Sequence, residues 1–216
     1  MSVHQQGSTS VLELHGARTG NCLRAAIALN EAGLSYRIHH VDLRGGEQRS
    51  EPHLALNPRG KVPVLVIPAT LATPMRVITQ SNAILFYAAE HSGGRLLPAE
   101  GNWQRTTALE AFFHFTTDVI ALNGAAFGLQ KQGHADAAAE LTDRYLAAID
   151  ASECLLSDAG FMGSDDFSIA DIAAFTIIQA VNTHVAWTRL PRLSAWRDRI
   201  AERPAVRDGT RAFDKT

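Results

Sequence analysis

The residues best placed for chemistry lie in one polar turn near the start of the chain, Arg18-Thr19-Gly20-Asn21-Cys22. An apolar helical pattern follows the turn, so we expect the turn to lie at a helix N-terminus, where free N–H groups and the helix dipole favour an anion. That anion could be the thiolate of a bound thiol or of Cys22 itself. Thr19 and Asn21 offer a hydroxyl and an amide whose hydrogen bonds would lower the pKa of such a thiol.

Each of these residues also has a purely structural interpretation. Thr and Asn are common helix caps, so Thr19 or Asn21 could simply satisfy the first backbone N–H groups. Cys22 lies one turn into the helix, where it could either reach a bound thiol and form a mixed disulfide or face the core as a small apolar side chain. Cys154 lies in a helical stretch and is interpreted as structural.

The histidines do not form a metal-binding pattern. The chain has nine of them, but none lies three or four residues from a partner that would complete a ligand set. His39 and His40 are adjacent in a predicted strand and should point to opposite faces of the sheet. No metal site is therefore predicted.

The elements around the polar turn predict a thioredoxin-like domain. A strand, a helix and a second, parallel strand form a βαβ unit, and a brief helix with Ser50 at its cap position leads to an antiparallel strand pair and a further helix. The predicted bounds are 11–15, 22–32 and 35–43 for the βαβ unit, then 50–56, 62–67, 76–79 and 81–91.

The second half of the chain predicts an all-helical bundle, because helical periodicity continues from Trp103 with almost no strand signal. Ser168 and Asp171 have the spacing of a capping box, and the following apolar stretch is typical of a buried central helix. The predicted fold is thus α/β plus all-α, with a flexible tail at 1–10, a thioredoxin-like domain at 11–91, a linker at 92–102 and a helical domain at 103–216.

Two further motifs carry a family resemblance: NPRGKVP at 57–63 and TQSNAI at 79–84. With them, most of the chain resembles the glutathione S-transferase superfamily. The resemblance implies that Pro63 is cis, that Val62 offers its backbone to the cysteinyl part of glutathione, and that Gln80 and Ser81 hold the γ-glutamyl group. It places Lys61, and in some classes the position of Gln48, at the glycine carboxylate. Ser81 would also cap its helix.

The resemblance also implies a homodimer and a pocket for a small apolar electrophile between the two domains of each subunit. Phe112, Phe115 and Ile120 lie near the region where the family lines this pocket, although an aromatic helix face can equally belong to a core. His114, on the same helix, is interpreted as a packed or hydrogen-bonded residue.

The polar turn narrows the class of transferase that the chain resembles. No Tyr occurs in the first strand or the turn, which excludes the classes that use Tyr. The beta class has Cys at the position of Asn21 and His at that of Ile120, so it is a poor match. The Ser of the zeta and theta classes aligns on or beside Thr19, and the Thr-x-Asn arrangement resembles the nu class, of which some members reduce disulfides.

Three functions follow from this resemblance. In the first, Thr19 and Asn21 stabilise the glutathione thiolate, which attacks an apolar electrophile as in detoxifying transferases. In the second, the same site reduces disulfides or peroxides with two glutathione molecules or with Cys22. In the third, the fold is a non-catalytic interaction module, which has no need to retain the glutathione-binding residues.

Composition limits the cellular setting. The formal net charge is −2 with both signs interspersed, which provides no basic stripe for nucleic acid. No apolar run approaches the length of a membrane span, so no membrane association is predicted. Two distant cysteines and a polar N-terminus without the features of a secretion signal favour a reducing compartment, the cytoplasm.

Overall fold

The computed structural model describes residues 11–214, so the tail predicted at 1–10 lies outside the described residues. Its first half contains the seven elements that the sequence predicts, in the same order. They are β1 (Leu12–Gly16), α1 (Gly20–Glu31), β2 (Tyr36–His40), α2 (Glu51–Leu56), β3 (Val64–Ile67), β4 (Arg76–Ile78) and α3 (Ser81–Glu90).

The strands form a mixed sheet in the order β2-β1-β3-β4. β1 runs parallel to β2, and β3 is antiparallel to both β1 and β4, which confirms the predicted thioredoxin-like arrangement. Leu12 and Leu14 join the apolar core with the buried positions of α1. Glu13 and His15 alternate with them and face the other side of the sheet.

The second half is helical within the described residues, as predicted. It comprises α4 (Trp103–Phe113), a π-helical segment (His114–Ile120), α5 (Ala121–Lys131), α6 (Ala135–Ala151), α7 (Ile169–Ala180), α8 (Pro191–Ala201) and α9 (Pro204–Arg211). No helix in this described part of the chain is both long and apolar enough to cross a bilayer. The π-helical segment was not predicted from the sequence.

Helix α7 is the buried centre of this half, and the predicted capping box begins it. The Ser168 hydroxyl accepts a hydrogen bond from Ala170 N at 3.2 Å, and Asp171 Oδ2 accepts from Ser168 N at 2.9 Å. Asp171 Oδ1 also accepts from Trp196 Nε1 at 2.8 Å and from Met162 N at 2.9 Å. Ser168 and Asp171 therefore have the structural role that the sequence predicts.

The last helix returns to the first domain. Helix α9 packs along α1 so closely that a Cβ atom on Gly209 would lie 2.7 Å from Ile27 Cα. Only glycine leaves room for this approach, since ordinary Cβ contacts are longer than 3.4 Å. The contact brings the C-terminal part of the chain beside the polar turn at the N-terminus of α1.

Candidate functional site

The 57–63 loop is anchored by two buried side chains. Asn57 Nδ2 donates to Lys61 O at 2.7 Å, and His53 Nε2 lies 3.1 Å from the same oxygen. Asn57 Oδ1 also accepts from Arg59 N at 3.2 Å. These contacts hold the carbonyl that precedes Val62, and the Val62–Pro63 bond is cis, as the family resemblance implies.

The polar turn begins α1 as expected. Thr19 is the N-cap residue, and its Oγ1 accepts from Cys22 N at 3.4 Å. Asn21 lies in the first turn of the helix with an exposed side chain. The capping role is therefore present, and the Thr19 side chain also hydrogen-bonds to the Cys22 thiol, which opposes the larger effect of burial on the pKa of that thiol.

A buried arginine joins the polar turn to α3. The Arg24 side chain is only 2% exposed, and its Nη1 donates to Asn21 Oδ1 at 3.2 Å, to Ser81 Oγ at 3.3 Å and to Asn82 Oδ1 at 3.3 Å. Its Nε donates to Thr176 Oγ1 on α7 at 3.2 Å. Two sequence-predicted residues, Asn21 and Ser81, thus share one donor.

The hydrogen-bond acceptors of this guanidinium are neutral. Among residues 11–214, no carboxylate forms an ion pair with Arg24, and burial lowers the pKa of the guanidinium to about 10. A pKa of about 10 still leaves the group charged at neutral pH. The contact between α1 and α3 therefore contains a buried positive charge that an anion would stabilise.

Gln80 and Ser81 lie at the start of α3, but Ser81 does not cap the helix as predicted. Gln80 is the N-cap residue and its exposed side chain makes no capping hydrogen bond, whereas Ser81 is the first helical residue and bonds to Arg24. The prediction that Ser81 caps the helix is wrong, because its hydroxyl turns toward α1. Ser50 likewise occupies the N-cap position of α2 without a side-chain capping bond.

Lys61 and Gln48 lie on either side of the same loop. The Lys61 side chain is exposed and the Gln48 side chain is half-buried. The backbone of Gln48 packs closely on the loop, since a Cβ atom added to Gly60 would lie 3.0 Å from Gln48 O. Gln48 Nε2 donates to Leu43 O at 3.5 Å. Lys61 is therefore free to move toward an anion, whereas Gln48 is partly occupied by its own loop.

Cys22 does not face the predicted glutathione site. It is fully buried, and burial raises the pKa of its thiol. A Cβ on Gly16 would lie 2.8 Å from Cys22 Sγ and 2.9 Å from Phe213 Cζ, so the sulfur is enclosed between β1 and the C-terminal segment. Of its two interpretations, the structure supports the core residue and not the catalytic thiol. Cys154 is exposed and unpaired with another cysteine.

The predicted electrophile-binding residues lie in or against the core. Phe112 and Phe115 are 1% and 0% exposed, and the Phe112 ring packs edge-on against Phe86 at 5.3 Å. Ile120 is partly buried against the same core. The aromatic face of α4 is thus used for packing between helices. His114 is hydrogen-bonded to Ala148 O at 3.0 Å, as its structural interpretation predicts.

A cavity of about 510 Å³ opens instead beside Gly20, which follows Thr19 in the polar turn. It lies between α1, α7 and α9 and is lined by apolar and polar side chains. The apolar ones include Leu23, Phe175 and Val206, and the polar ones Arg18, Gln179, Arg207 and Thr210. A ligand in this cavity would meet Arg207 and Arg18 beside the N-terminus of α1, and the Arg18 guanidinium already forms an ion pair with Asp214 at 2.8 Å.

Comparison with known proteins then decides the family. The model of the glutathione S-transferase N-terminal domain matches residues 10–90, and that of the C-terminal domain matches residues 107–204. The chain belongs to the glutathione S-transferase family.

Curated relatives of this glutathione S-transferase family member carry more than one activity in their names. Disulfide-bond oxidoreductase YfcG from Escherichia coli strain K12 is 29% identical, with 91% of this chain and 93% of the relative covered. Glutathione S-transferase 3 from Zea mays is 31% identical, with 90% of each chain covered. The family supports glutathione-dependent enzyme activity, and its members differ in the reaction.

A solved structure of a glutathione transferase family member from Pseudomonas fluorescens Pf-5 has the same fold. It superposes with a TM-score of 0.82 at 21% identity, covers 94% of this chain and 93% of its own, and contains two bound glutathione molecules. Glutathione is thus the ligand bound by a structural relative of this family member.

Arg24 is the residue of this family member that the sequence interpretation missed. A signal was present, because Arg24 is the single charged residue within the apolar stretch 22–29 and lies three residues after Asn21, on the same helix face. Its partners Asn82 and Thr176 gave no such signal, since they come from α3 and α7.

Proposed function

We propose that this protein is a glutathione transferase that binds glutathione across Lys61, Gln80 and Ser81 and stabilises its thiolate with Thr19 and Asn21. The observation that carries the proposal is the buried Arg24 guanidinium, which donates to both Asn21 and Ser81 and has neutral acceptors. One positive group thereby links the part of the site that would hold the γ-glutamyl end to the part that would hold the sulfur.

The first step of the proposal concerns the γ-glutamyl carboxylate. A buried charge without a counterion costs free energy, and an anion placed next to it recovers much of that cost. The N-terminus of α3, with Gln80 and Ser81, offers backbone N–H groups to the same anion. The α-carboxylate of glutathione would therefore gain from both the helix terminus and the nearby Arg24.

The second step concerns the thiol. Asn21 Oδ1 accepts from Arg24, so the amide would present its Nδ2 hydrogens to a bound sulfur. Thr19 accepts from Cys22 N and would donate its own hydroxyl proton. Two donors and the dipole of α1 favour the thiolate over the thiol, so the pKa of bound glutathione would fall toward neutral pH.

The third step is the reaction. The glutathione thiolate attacks an electrophilic carbon and forms a C–S bond, and the leaving group departs with its electron pair. In an addition reaction, the resulting carbanion takes a proton instead. The apolar wall of the cavity beside Gly20, with Leu23, Phe175 and Val206, would hold the electrophile.

Disulfide reduction is the second candidate, and the arginines of the same cavity favour it. Arg207 would attract an anionic partner such as a glutathione mixed disulfide, and Arg18 would add less because Asp214 already pairs with it. The bound thiolate would attack the glutathione sulfur of that disulfide, forming glutathione disulfide and releasing the other thiolate, which takes a proton. Because Cys22 is buried, this version uses two glutathione units and no protein thiol.

The proposal includes a cytoplasmic setting, which the two distant cysteines favour, and a homodimer with a role in detoxification, which the family resemblance implies. Support for a dimer comes from large apolar side chains left exposed on α4 and α5. Trp103 is 74%, Phe113 52% and Phe127 62% exposed. Sedimentation equilibrium would show a mass near twice 23.4 kDa if the dimer is right and one near 23.4 kDa if it is wrong.

Binding is tested by calorimetric titration with glutathione and with S-methylglutathione, which lacks an ionisable thiol. The reaction is tested by measuring turnover with a chloronitroarene and with a glutathione mixed disulfide. We expect the Thr19→Ala, Asn21→Ala double variant to bind S-methylglutathione like the parent and to raise the pKa of the bound glutathione thiol. Absence of glutathione binding by folded protein would reject both enzymatic functions and favour an interaction module.

A further inference from the structure

A second cavity, of about 450 Å³, lies between the sheet and α2, away from Gly20. The face of the sheet that carries it is the one opposite Leu12 and Leu14. Its lining is rich in metal-ligand side chains, which are His15, His39, His40, His53 and Glu47. Four of these side chains have no part in the proposed transferase site, and the fifth, His53, anchors the 57–63 loop.

Strand register brings together a three-residue cluster, of which His15 and His39 line this cavity. His15 on β1 pairs directly with His39 on the parallel strand β2, and Glu13 precedes His15 by two residues on the same face of β1. The ligand atoms of Glu13, His15 and His39 lie within 4.8 Å of one another. Sequence spacing alone would not reveal this cluster, because His39 lies on another strand.

The distances within the cluster fit shared coordination better than hydrogen bonding. Glu13 Oε2 is 3.5 Å from His15 Nε2 and 3.5 Å from His39 Nε2. His15 Nε2 is buried without a hydrogen-bond partner among the described residues. In a tetrahedral zinc site with bonds near 2.1 Å, neighbouring ligand atoms are separated by roughly 3.4 Å. The carboxylate is thus at the separation that coordination of one ion would give.

The two imidazole rings lie face to face. They stack with centroids 4.4 Å apart and an interplanar angle of 9°. Because stacked rings have parallel planes, one ion cannot lie in the plane of both rings. Coordination therefore requires His15 and the half-exposed His39 to turn out of the stack about their side-chain bonds until both Nε2 lone pairs meet next to Glu13. His53 is held back by the carbonyl of Lys61, so water from the cavity would complete the coordination shell.

We propose that Glu13, His15 and His39 bind one divalent transition-metal ion of the Zn²⁺ type. Two imidazoles and one carboxylate form a ligand set that Zn²⁺ uses with a water in the fourth position. The site is independent of glutathione and of the proposed function. Because β1 leads into the polar turn, occupancy would stabilise the strand that positions Thr19.

The experiment uses full-length protein without an affinity tag, freed of metal with a chelator. Co²⁺ is titrated as a spectroscopic probe, Zn²⁺ is used to displace it, and the unfolding temperature is recorded with and without Zn²⁺ in the absence of glutathione. We expect one Co²⁺ per chain with the strong visible absorption of a four- or five-coordinate site, and a rise in unfolding temperature with Zn²⁺.

Matched variants separate a built site from scattered surface histidines. His39→Gln and Glu13→Gln should each weaken binding by about tenfold or more and remove the Zn²⁺-dependent stabilisation. His184→Gln, a change at an exposed histidine far along the chain, should leave both readouts as in the parent. Equal binding by all variants, or no binding by folded parent protein, would overturn the proposal.

Discussion

Arg24 of α1 donates a hydrogen bond to Ser81 of α3 across 3.3 Å, in the buried contact between these helices. Because the acceptors of Arg24 are neutral, its charge is not balanced by a protein carboxylate within residues 11–214. Such a group contributes little to folding and is well suited to an anionic ligand. A substitution of Arg24 should therefore change glutathione binding more than it changes the free energy of unfolding.

We predict that Arg24→Met weakens glutathione binding by about 2 kcal/mol or more, because a desolvated charge–carboxylate contact is lost. Stability to urea should change by less than about 2 kcal/mol, because an apolar side chain of similar length replaces an unpaired buried charge. Arg24→Lys, which keeps the charge, should restore part of the binding. A large loss of stability with unchanged glutathione affinity would make Arg24 a structural residue only.

The cavity beside Gly20 allows the two reactions to be separated. Arg207→Ala should lower kcat/KM for an anionic glutathione mixed disulfide by about fivefold, since a cation in partly screened surroundings contributes roughly 1 kcal/mol. The kcat/KM for a neutral chloronitroarene should stay within about twofold of the parent value. Arg211→Ala, an exposed change one turn further along α9, is the control. Equal losses for both substrates would mean that Arg207 does not select the anionic partner.

The two cysteines should differ strongly in reactivity. Cys154 is exposed and Cys22 is buried with a raised thiol pKa, so one thiol per chain should react quickly with an aromatic disulfide reagent and the second only after unfolding. Cys154→Ser should abolish the fast phase. Cys22→Ser should retain glutathione-dependent turnover, and loss of turnover in a folded Cys22→Ser protein would restore the protein thiol to the mechanism.

Asp171 predicts a pH dependence of stability. Burial raises the pKa of its carboxyl to about 6, although hydrogen bonds from Trp196, Met162 and Ser168 oppose that shift. The folded protein therefore holds this proton more tightly than the unfolded chain, and the contribution of Asp171 to the free energy of unfolding should fall as pH rises from about 4 to about 6. Urea unfolding across this range measures it.

Asp171→Asn is the matching variant. It should flatten that pH dependence and destabilise the protein by about 2 to 4 kcal/mol, because an amide N–H₂ would face N–H donors in the capping box. Asp158→Asn, at an exposed position, should change neither quantity. An unchanged slope in Asp171→Asn would show that other groups titrate in this range.

Local patterns were sufficient for the strands and helices of the first half. Alternation and helical spacing predicted the strands and helices of the first half within a few residues, because one buried face imposes its period on the sequence. The 57–63 and 79–84 motifs carry the family resemblance, and Lys61, Gln80 and Ser81 stay predicted ligands of glutathione on that ground.

What the sequence by itself determined is therefore the order of the elements, the capping box at Ser168 and the polar turn at Thr19. Three contacts could not be predicted from periodicity along the sequence, and the tertiary structure decided them. The C-terminal segment encloses Cys22, Arg24 contacts Ser81, and His15 contacts His39. Each of these contacts joins residues from separate elements, so it depends on how the helices and strands pack and not on the spacing within any one of them.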